Sequence, residues 1–312
     1  MKKYLIKIGW YSIIFLMVIT VIGKMLVDQR ANKLIFHPQM RWEEYHNLEN
    51  NTVDMFFIGS SHCYRSFVPS IIDEKLKLNS FNLGSSSQSI FSSYFILLEA
   101  LKTQTPKAVV FEVFRGTFTI ENDFIDLMYN YDYFKSDSVK LEVRKSISIK
   151  ENIEILFPAF RFNHNLSLFL NEPGVNADLL KNSIYSHKGY VETDLPADYF
   201  SPSVKKEIQV QEKQLQPKQI EYFEKIVKLL KSSNIDLVLV TQPIHPYYYK
   251  LSKDENKNAF LDGLSQKHNL TYIDLNGIGD FKFQHYYDSH HLNKTGAEKF
   301  SQLVSDSLLK LF

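Results

Sequence analysis

The chain has 312 residues, room for one large or two small domains. It is 44% hydrophobic, 23% charged and 14% aromatic, a globular composition, and its formal net charge of +1 gives no footing for a nucleic-acid partner. The single cysteine, Cys63, excludes an intramolecular disulfide and reads as a buried structural thiol.

Taken in order, the chain opens with Lys2, Lys3 and Lys7, followed by a run without charge over residues 8–23. Extended to residue 27, this makes about 30 Å of helix at roughly 1.5 Å per residue, enough to cross the hydrocarbon core. Residues 1–27 are therefore expected to be a cytoplasmic tip and transmembrane anchor. The flanking lysines put the N-terminus in the cytoplasm and the rest of the chain outside it. A cleaved signal peptide is the rival, but the stretch from Lys24 to Gln29 offers no good small-x-small cleavage site. Residues 28–51 are polar with scattered aromatics and read as a membrane-proximal linker.

Residues 53–58 are apolar apart from Asp54 and stop at Gly59. That pattern predicts a buried strand ending in a tight turn, with helical turns on each side of Pro69 behind it. A serine at such a turn exposes its hydroxyl at the carboxyl edge of a sheet, where a helix N-terminus favours developing negative charge. Ser61 is thus the candidate nucleophile; the plain alternative is a turn whose serines only cap a helix. Residues 80–83 read as a second strand and 89–102 as a helix. A third strand covers 106–114, continuously apolar over 108–111 as a central parallel strand requires. Glu112 and Arg115 at its end read as a structural ion pair, with Arg115 also a candidate substrate contact.

Residues 117–215 break the alternation. They lack clear strands, hold many aromatics and read as a mostly helical insertion, with Lys188-Gly189-Tyr190 as its return toward the site. The regular pattern resumes with an amphipathic helix over 216–232 and a fourth strand over 235–241. That strand runs into Gln242-Pro243-Ile244-His245-Pro246, where His245 is a second candidate substrate contact. A helix over 253–268 and a fifth strand over 271–274 follow. The alternation predicts a parallel sheet with helices on both faces and a site at the carboxyl ends of its strands.

The last motif is Asp288-Ser289-His290-His291-Leu292-Asn293-Lys294-Thr295-Gly296. Asp288, three residues before His291, is placed to orient that ring, and His291 then serves as general base toward a serine brought close by the fold. His290 is expected to point elsewhere, and Asn293 to cap a final helix. Alone, these residues fit a surface loop or a metal site of His285, His290, His291 and Asp288 equally well. The pairing with Gly59-Ser60-Ser61 favours the Ser-His-Asp reading.

Gly59-Ser60-Ser61 resembles the first block of the SGNH (GDSL-like) esterases and acyltransferases, with Ser60 where many members have aspartate. The run Asn82-Leu83-Gly84-Ser85 looks like their second block, and Asp288-x-x-His291-Leu292-Asn293-x-x-Gly296 like their last. The family's Gly-x-Asn-Asp block is missing; the corresponding strand end reads Phe111-Glu112-Val113-Phe114-Arg115-Gly116. The anchored Gly-Ser-Ser variant is similar to teichoic-acid D-alanylation accessory proteins and alginate O-acetylation proteins. The resemblance implies an α/β, flavodoxin-like three-layer SGNH fold over residues 52–312, with about five parallel strands. It also implies a catalytic Ser61, His291 and Asp288, and an oxyanion hole from the Ser61 and Gly84 backbone N–H groups. The implied partners are an acylated glycan or acyl donor and a multi-spanning membrane O-acyltransferase; no cofactor and no metal is implied. Two other classes stay open: a non-catalytic envelope-polysaccharide assembly protein that keeps the fold, and a metal-dependent hydrolase.

Overall fold

The computed structural model describes residues 2–33, 38–121, 123–161, 183–195, 214–245, 255–288 and 290–312. Five strands form one parallel sheet: β1 (Met55–Ile58), β2 (Ser80–Asn82), β3 (Ala108–Glu112), β4 (Asp236–Thr241) and β5 (Thr271–Asp274). Their spatial order is β2-β1-β3-β4-β5, the doubly wound flavodoxin-like order. The order reverses between β1 and β3, so the carboxyl ends of these two neighbours flank the crevice where such sheets bind ligands.

Both faces of the sheet are covered, which explains why its strands are apolar without alternation. Phe56, Ile58, Val109, Phe111, Leu237 and Leu239 face one layer of helices. That layer holds α2 (Pro38–His46), α5 (Ile90–Ala100), α10 (Pro217–Ser232) and α11 (Glu255–His268). Met55, Phe57, Ala108, Val110, Val238 and Val240 face the other. There lie α3 (Ser61–Ser66), α4 (Pro69–Leu76) and α12 (Lys294–Leu308). The helices start where the sequence supplies caps: Ser89 Oγ accepts from Ser92 N at 3.0 Å to open α5, and Asn293 Oδ1 from Gly296 N at 3.1 Å to open α12.

Two expectations need correction. The stretch 28–51 is not a linker throughout, because α2 is part of the core. Trp42 and Tyr45 are 0% and 2% exposed. Tyr45 OH donates to Ala100 O at 2.6 Å, and Trp42 Nε1 to Asn130 Oδ1 at 3.1 Å. Nine residues proved too short for their aromatic face to stand out in a polar segment. The insertion is mostly helical as expected, but it is not free of strands. It contains α6 (Phe124–Tyr131), α7 (Asp137–Ser146), α8 (Ile149–Leu156) and α9 (Pro158–Arg161), but also an antiparallel hairpin of Ser183–Tyr185 with Val191–Thr193. Its turn is fixed by tertiary contact: both carboxylate oxygens of Glu44 accept the Lys188 N–H, at 2.9 and 2.8 Å, and Asn82 N donates to Lys188 O at 2.9 Å. Residues 162–182 and 196–213 of the insertion lie outside the described residues.

The first helix, α1 (Lys2–Lys33), carries a 23-residue apolar window from Lys3 to Met25 with a mean hydropathy of 2.2, long enough for one membrane crossing. It meets the rest of the chain at α9, where Gly23 lies against Pro158 and Ala159. Beside that contact, Ile149, Ile153, Leu156 and Phe160 are exposed.

Trp42→Ala is expected to cost about 3–5 kcal/mol, the usual cost of truncating a fully buried large aromatic. Met40→Ala, on the exposed side of the same helix, should stay within about 0.5 kcal/mol. Chemical unfolding of the full chain in detergent checks both, and equal effects would return α2 to linker status.

Candidate active site

The site begins with Gly59, at the end of β1. Its φ of +151° is hard for an L-residue, and an ideal Cβ there would sit 2.8 Å from Glu112 Cβ and Oε2. Only glycine lets β1 turn this closely over β3. The next residue, Ser60, caps α3: its Oγ accepts from His62 N at 3.3 Å. Ser60 N and Oγ also donate to Glu112 Oε2, at 3.1 and 3.0 Å. The turn is thereby pinned on both sides, and Ser61 becomes the first residue of α3.

The second half is the loop between β5 and α12. Tyr286 and Leu292 form an isolated antiparallel bridge that closes it, and Tyr287 N donates to His291 O at 3.2 Å. Asn293 holds its base, donating its N–H to His285 O at 3.0 Å and its Nδ2 to Gln284 O at 2.8 Å. Gly296 lets the His285 carbonyl approach, since a Cβ there would lie 2.1 Å from that oxygen. The Asn-x-x-Gly part of the motif thus shapes the loop.

The structure brings Ser61, His291 and Asp288 together. Ser61 Oγ lies 2.7 Å from His291 Nε2, and His291 Nδ1 lies 2.7 Å from Asp288 Oδ2. The other oxygen, Asp288 Oδ1, accepts the backbone N–H of His291 at 2.7 Å and of His290 at 2.9 Å. With Asp288 as acceptor, the ring proton sits on Nδ1, and Nε2 is left to receive the Ser61 proton. Burial opposes ionisation of Asp288, but the His291 ring and these hydrogen bonds outweigh it and hold the carboxyl well below the usual carboxylate range. Burial lowers the His291 pKa below the ordinary histidine value, and Asp288 offsets only part of that shift. The His291 side chain is 14% exposed, and its ring stacks on Tyr287 with centroids 5.3 Å apart and planes 4° from parallel. The Arg65 guanidinium lies 5.3 Å from the Tyr287 centroid on a cation–π contact, so the base is wedged in place.

Around this core sit residues that sequence reasoning missed. Glu112, expected to pair with Arg115, is fully buried and instead holds Ser60, with its Oε1 facing His62 Nδ1 at 3.4 Å; that role the sequence reading missed. His62 Nε2 in turn lies 2.8 Å from His290 Nδ1, so His290 points at His62. Adjacency to Ser61 was the one signal for His62. Arg41 donates from Nη1 to Leu83 O at 2.7 Å and to Gly84 O, bracing the loop after β2. Nothing in a polar pre-strand segment marks an arginine for that task.

The expected oxyanion donors differ from each other. Among the described residues no acceptor takes the Ser61 N–H. The Gly84 N–H, by contrast, donates to Asn82 Oδ1 at 3.0 Å. Asn82 is itself locked by Nδ2 to Cys63 O at 3.0 Å. Cys63 is fully buried, and burial raises its thiol pKa, which agrees with a structural role. Of the two candidate substrate contacts, Arg115 opens the 3₁₀ turn Arg115–Thr119 and its side chain lies outside the described residues. The His245 ring packs against Tyr286 and Phe283, at centroid distances of 5.4 and 5.7 Å. Its loop is joined to the histidine loop by Gln242 Nε2, which donates to His290 O at 2.6 Å. His285 is turned away from His290 and His291: its Nδ1 accepts the Lys282 N–H at 2.9 Å.

A family model that carries no description matches residues 200–312. No curated protein matches the chain. Among solved structures, one similar protein is described as an acylhydrolase from Bacteroides fragilis, at 11% identity over 88% of this chain and 97% of that one, with a TM-score of 0.44. A GDSL-like lipase from Bacteroides thetaiotaomicron is 10% identical over 89% of this chain and 100% of its own, with a TM-score of 0.42. A family two carbohydrate esterase from Clostridium thermocellum is 8% identical over 84% of this chain and 65% of its own, with a TM-score of 0.34. At these scores the likenesses add no argument of their own, and the chemistry rests on the distances above.

Two outcomes follow. Asp288→Asn should lower the rate of Ser61 acylation by about 10⁴-fold, because the amide favours the wrong His291 tautomer. Single-turnover labelling measures it. The base must be neutral to work, and its pKa is lowered. Activity should therefore hold as pH falls to the ordinary histidine value of about 6.5 and drop only below it. A pH–rate profile with its acid limb above that value would contradict the direction.

Proposed function

We propose that this protein is a membrane-anchored serine O-acyltransferase or esterase of SGNH type that acts on acyl or acetyl groups of a cell-envelope glycan. The observation that carries the reading is the unbroken chain of 2.7 Å contacts from Ser61 Oγ through His291 to Asp288.

In the proposed reaction, the Ser61 oxygen attacks the acyl carbonyl as its proton passes to His291 Nε2. The Ser61 N–H is the first donor to the oxyanion, and the Gly84 N–H joins it by sharing its bond with Asn82. Each such donor is worth roughly 10²–10³ in rate. His291 then gives its proton to the departing alkoxide, which leaves an acyl group on Ser61. A second hydroxyl, from water or a glycan, gives up its proton to His291 and attacks the acyl carbonyl; the Ser61 ester bond breaks and His291 returns the proton to Ser61 Oγ. Asp288 stabilises the charged imidazole in both halves.

Anchoring is supported by the apolar window in α1 and by the exposed Ile149, Ile153, Leu156 and Phe160 beside the α1–α9 contact, a surface that a bilayer would cover. The lysines before α1 favour a cytoplasmic N-terminus and an extracytoplasmic site. Transfer is favoured over hydrolysis because the Gly-Ser-Ser variant without the Asn block resembles anchored transfer proteins. A multi-spanning O-acyltransferase would then hand the acyl group across the membrane.

Three experiments test this reading. The full-length protein should stay in the pellet on alkaline carbonate extraction, and its release would remove the anchor. Purified in detergent, it should turn over p-nitrophenyl acetate slowly, and Ser61→Ala should abolish envelope acylation in cells at unchanged protein level. Rapid turnover together with unchanged envelope acyl content in a deletion strain would leave only an esterase.

A further inference from the structure

His62 and His290 have no part in the reaction described, yet they meet beside the base. His62 Nε2 is 2.8 Å from His290 Nδ1, and one ring nitrogen from each of His62, His290 and His291 lies within 4.8 Å of the other two. We propose that these three imidazoles form a site for one divalent transition-metal ion of the zinc class, and that its occupancy silences Ser61. The second half of this statement rests on the serine reading; the first half does not.

The geometry suits the ion. A tetrahedral zinc about 2.0–2.1 Å from three imidazole nitrogens holds them roughly 3.4 Å from one another. Here one pair is 2.8 Å apart and all three lie within 4.8 Å of one another, a spacing that small side-chain rotations bring to that value. His290 is the exposed member of the three and sits on the loop edge, while His62 is buried and His291 is held by the Tyr287 stack. Three imidazoles favour zinc, cobalt, nickel or copper over magnesium and calcium, which prefer oxygen ligands.

The surroundings support the assignment independently. Metal-bound histidines usually donate their second ring N–H to a carboxylate, which fixes the tautomer and makes the ligand nitrogen more basic. Here His291 Nδ1 already sits 2.7 Å from Asp288. His62 Nδ1 faces Glu112 Oε1 at 3.4 Å, and both of these buried atoms lack a hydrogen-bond partner. An orphaned donor and acceptor facing each other in the core cost stability. An ion on His62 Nε2 commits the ring proton to Nδ1 and draws that pair together. Without the ion, the 2.8 Å contact between His62 and His290 needs one proton between two nitrogens, and the ion takes that proton's place. His291 Nε2 cannot bind the ion and accept the Ser61 proton at once, so a filled site has no general base.

The test uses the full chain in detergent, stripped with a chelator. Titration with Co²⁺ should give the intense visible bands of a tetrahedral site, saturating at one equivalent and displaced by Zn²⁺. His290→Ala, an exposed change that spares the core, should weaken Co²⁺ binding at least ~10-fold, and Glu112→Gln by about 10–100-fold. Ser61→Ala should keep the spectrum. Zn²⁺ should slow fluorophosphonate labelling of Ser61 at least ~10-fold, EDTA should reverse this, and His290→Ala should lose the slowing. Absence of a saturable Co²⁺ spectrum, or one unchanged in His290→Ala, overturns the site. Labelling unaffected or accelerated by bound Zn²⁺ overturns the silencing. A normal Co²⁺ spectrum with no labelling of the metal-free protein supports the site and instead places the failure in the serine reading.

Discussion

Beneath the nucleophile turn lies a carboxyl group with no solvent exposure, Glu112 at the end of β3. Burying such a group is costly unless it is bonded, and Glu112 is bonded chiefly by the turn above it. Its Oε2 takes both hydrogens that Ser60 can offer, which decides where α3 starts and so where Ser61 points. The approach is possible only because Gly59 has no Cβ. At this strand end the glutamate works from below, supporting the Ser60–Ser61 turn.

His291, the candidate base, is fixed by a different device. Its loop hangs between the last strand and α12, and its shape depends on Asn293 acting twice, as helix cap and as anchor to the Gln284 carbonyl. Asp288 likewise acts twice, through Oδ1 on the backbone and Oδ2 on the ring. The conformation that holds Asp288 ionised is therefore the same one that aims His291. The stack of Arg65, Tyr287 and His291 removes the remaining freedom of the ring. Arg65 is itself buried and held by Ser183 and Thr193, residues of the hairpin in the insertion. The insertion therefore bears on the site by bracing the histidine from behind.

Much of this was legible in the sequence, and the reasons are local. The strands were readable because both sheet faces are covered, which leaves apolar runs such as Val109-Val110-Phe111 without alternation. The fifth strand was found over 271–274, where it lies, because a helix and a turn bracket it closely. Ser61, Asp288 and His291 stood out because each sits in a short motif whose spacing has a chemical meaning. Glu112 was noticed, but with the wrong partner, and Arg41 and Arg65 were not noticed, because their tasks are set by partners 42 to 128 positions away, to which no local pattern points. The same holds for α2, whose Trp42 and Tyr45 are buried by α5 and α6 rather than by their own segment. Gly84 was expected as an oxyanion donor from the resemblance, while the claim of Asn82 on its N–H has no sequence signal.

Arg41 ties these threads together. Burial lowers its pKa to about 10, which still leaves it charged at neutral pH. Its charge is met within the core by the Leu83 and Gly84 carbonyls and by Asn130 Oδ1. Its guanidinium also lies 5.2 Å from the Trp42 ring centroid, a cation–π contact; a buried cation met by neutral oxygens and a ring face, without a carboxylate hydrogen-bonded to it, is costly, and it braces the loop rigidly. The brace comes from the first ordered helix after the apolar α1, and it ends on the loop that holds a candidate oxyanion donor. Packing of α2 against Asn130 and Ala100 thus fixes the Gly84 loop relative to the sheet. The helix that follows the proposed anchor in sequence is in this way part of the site's own framework.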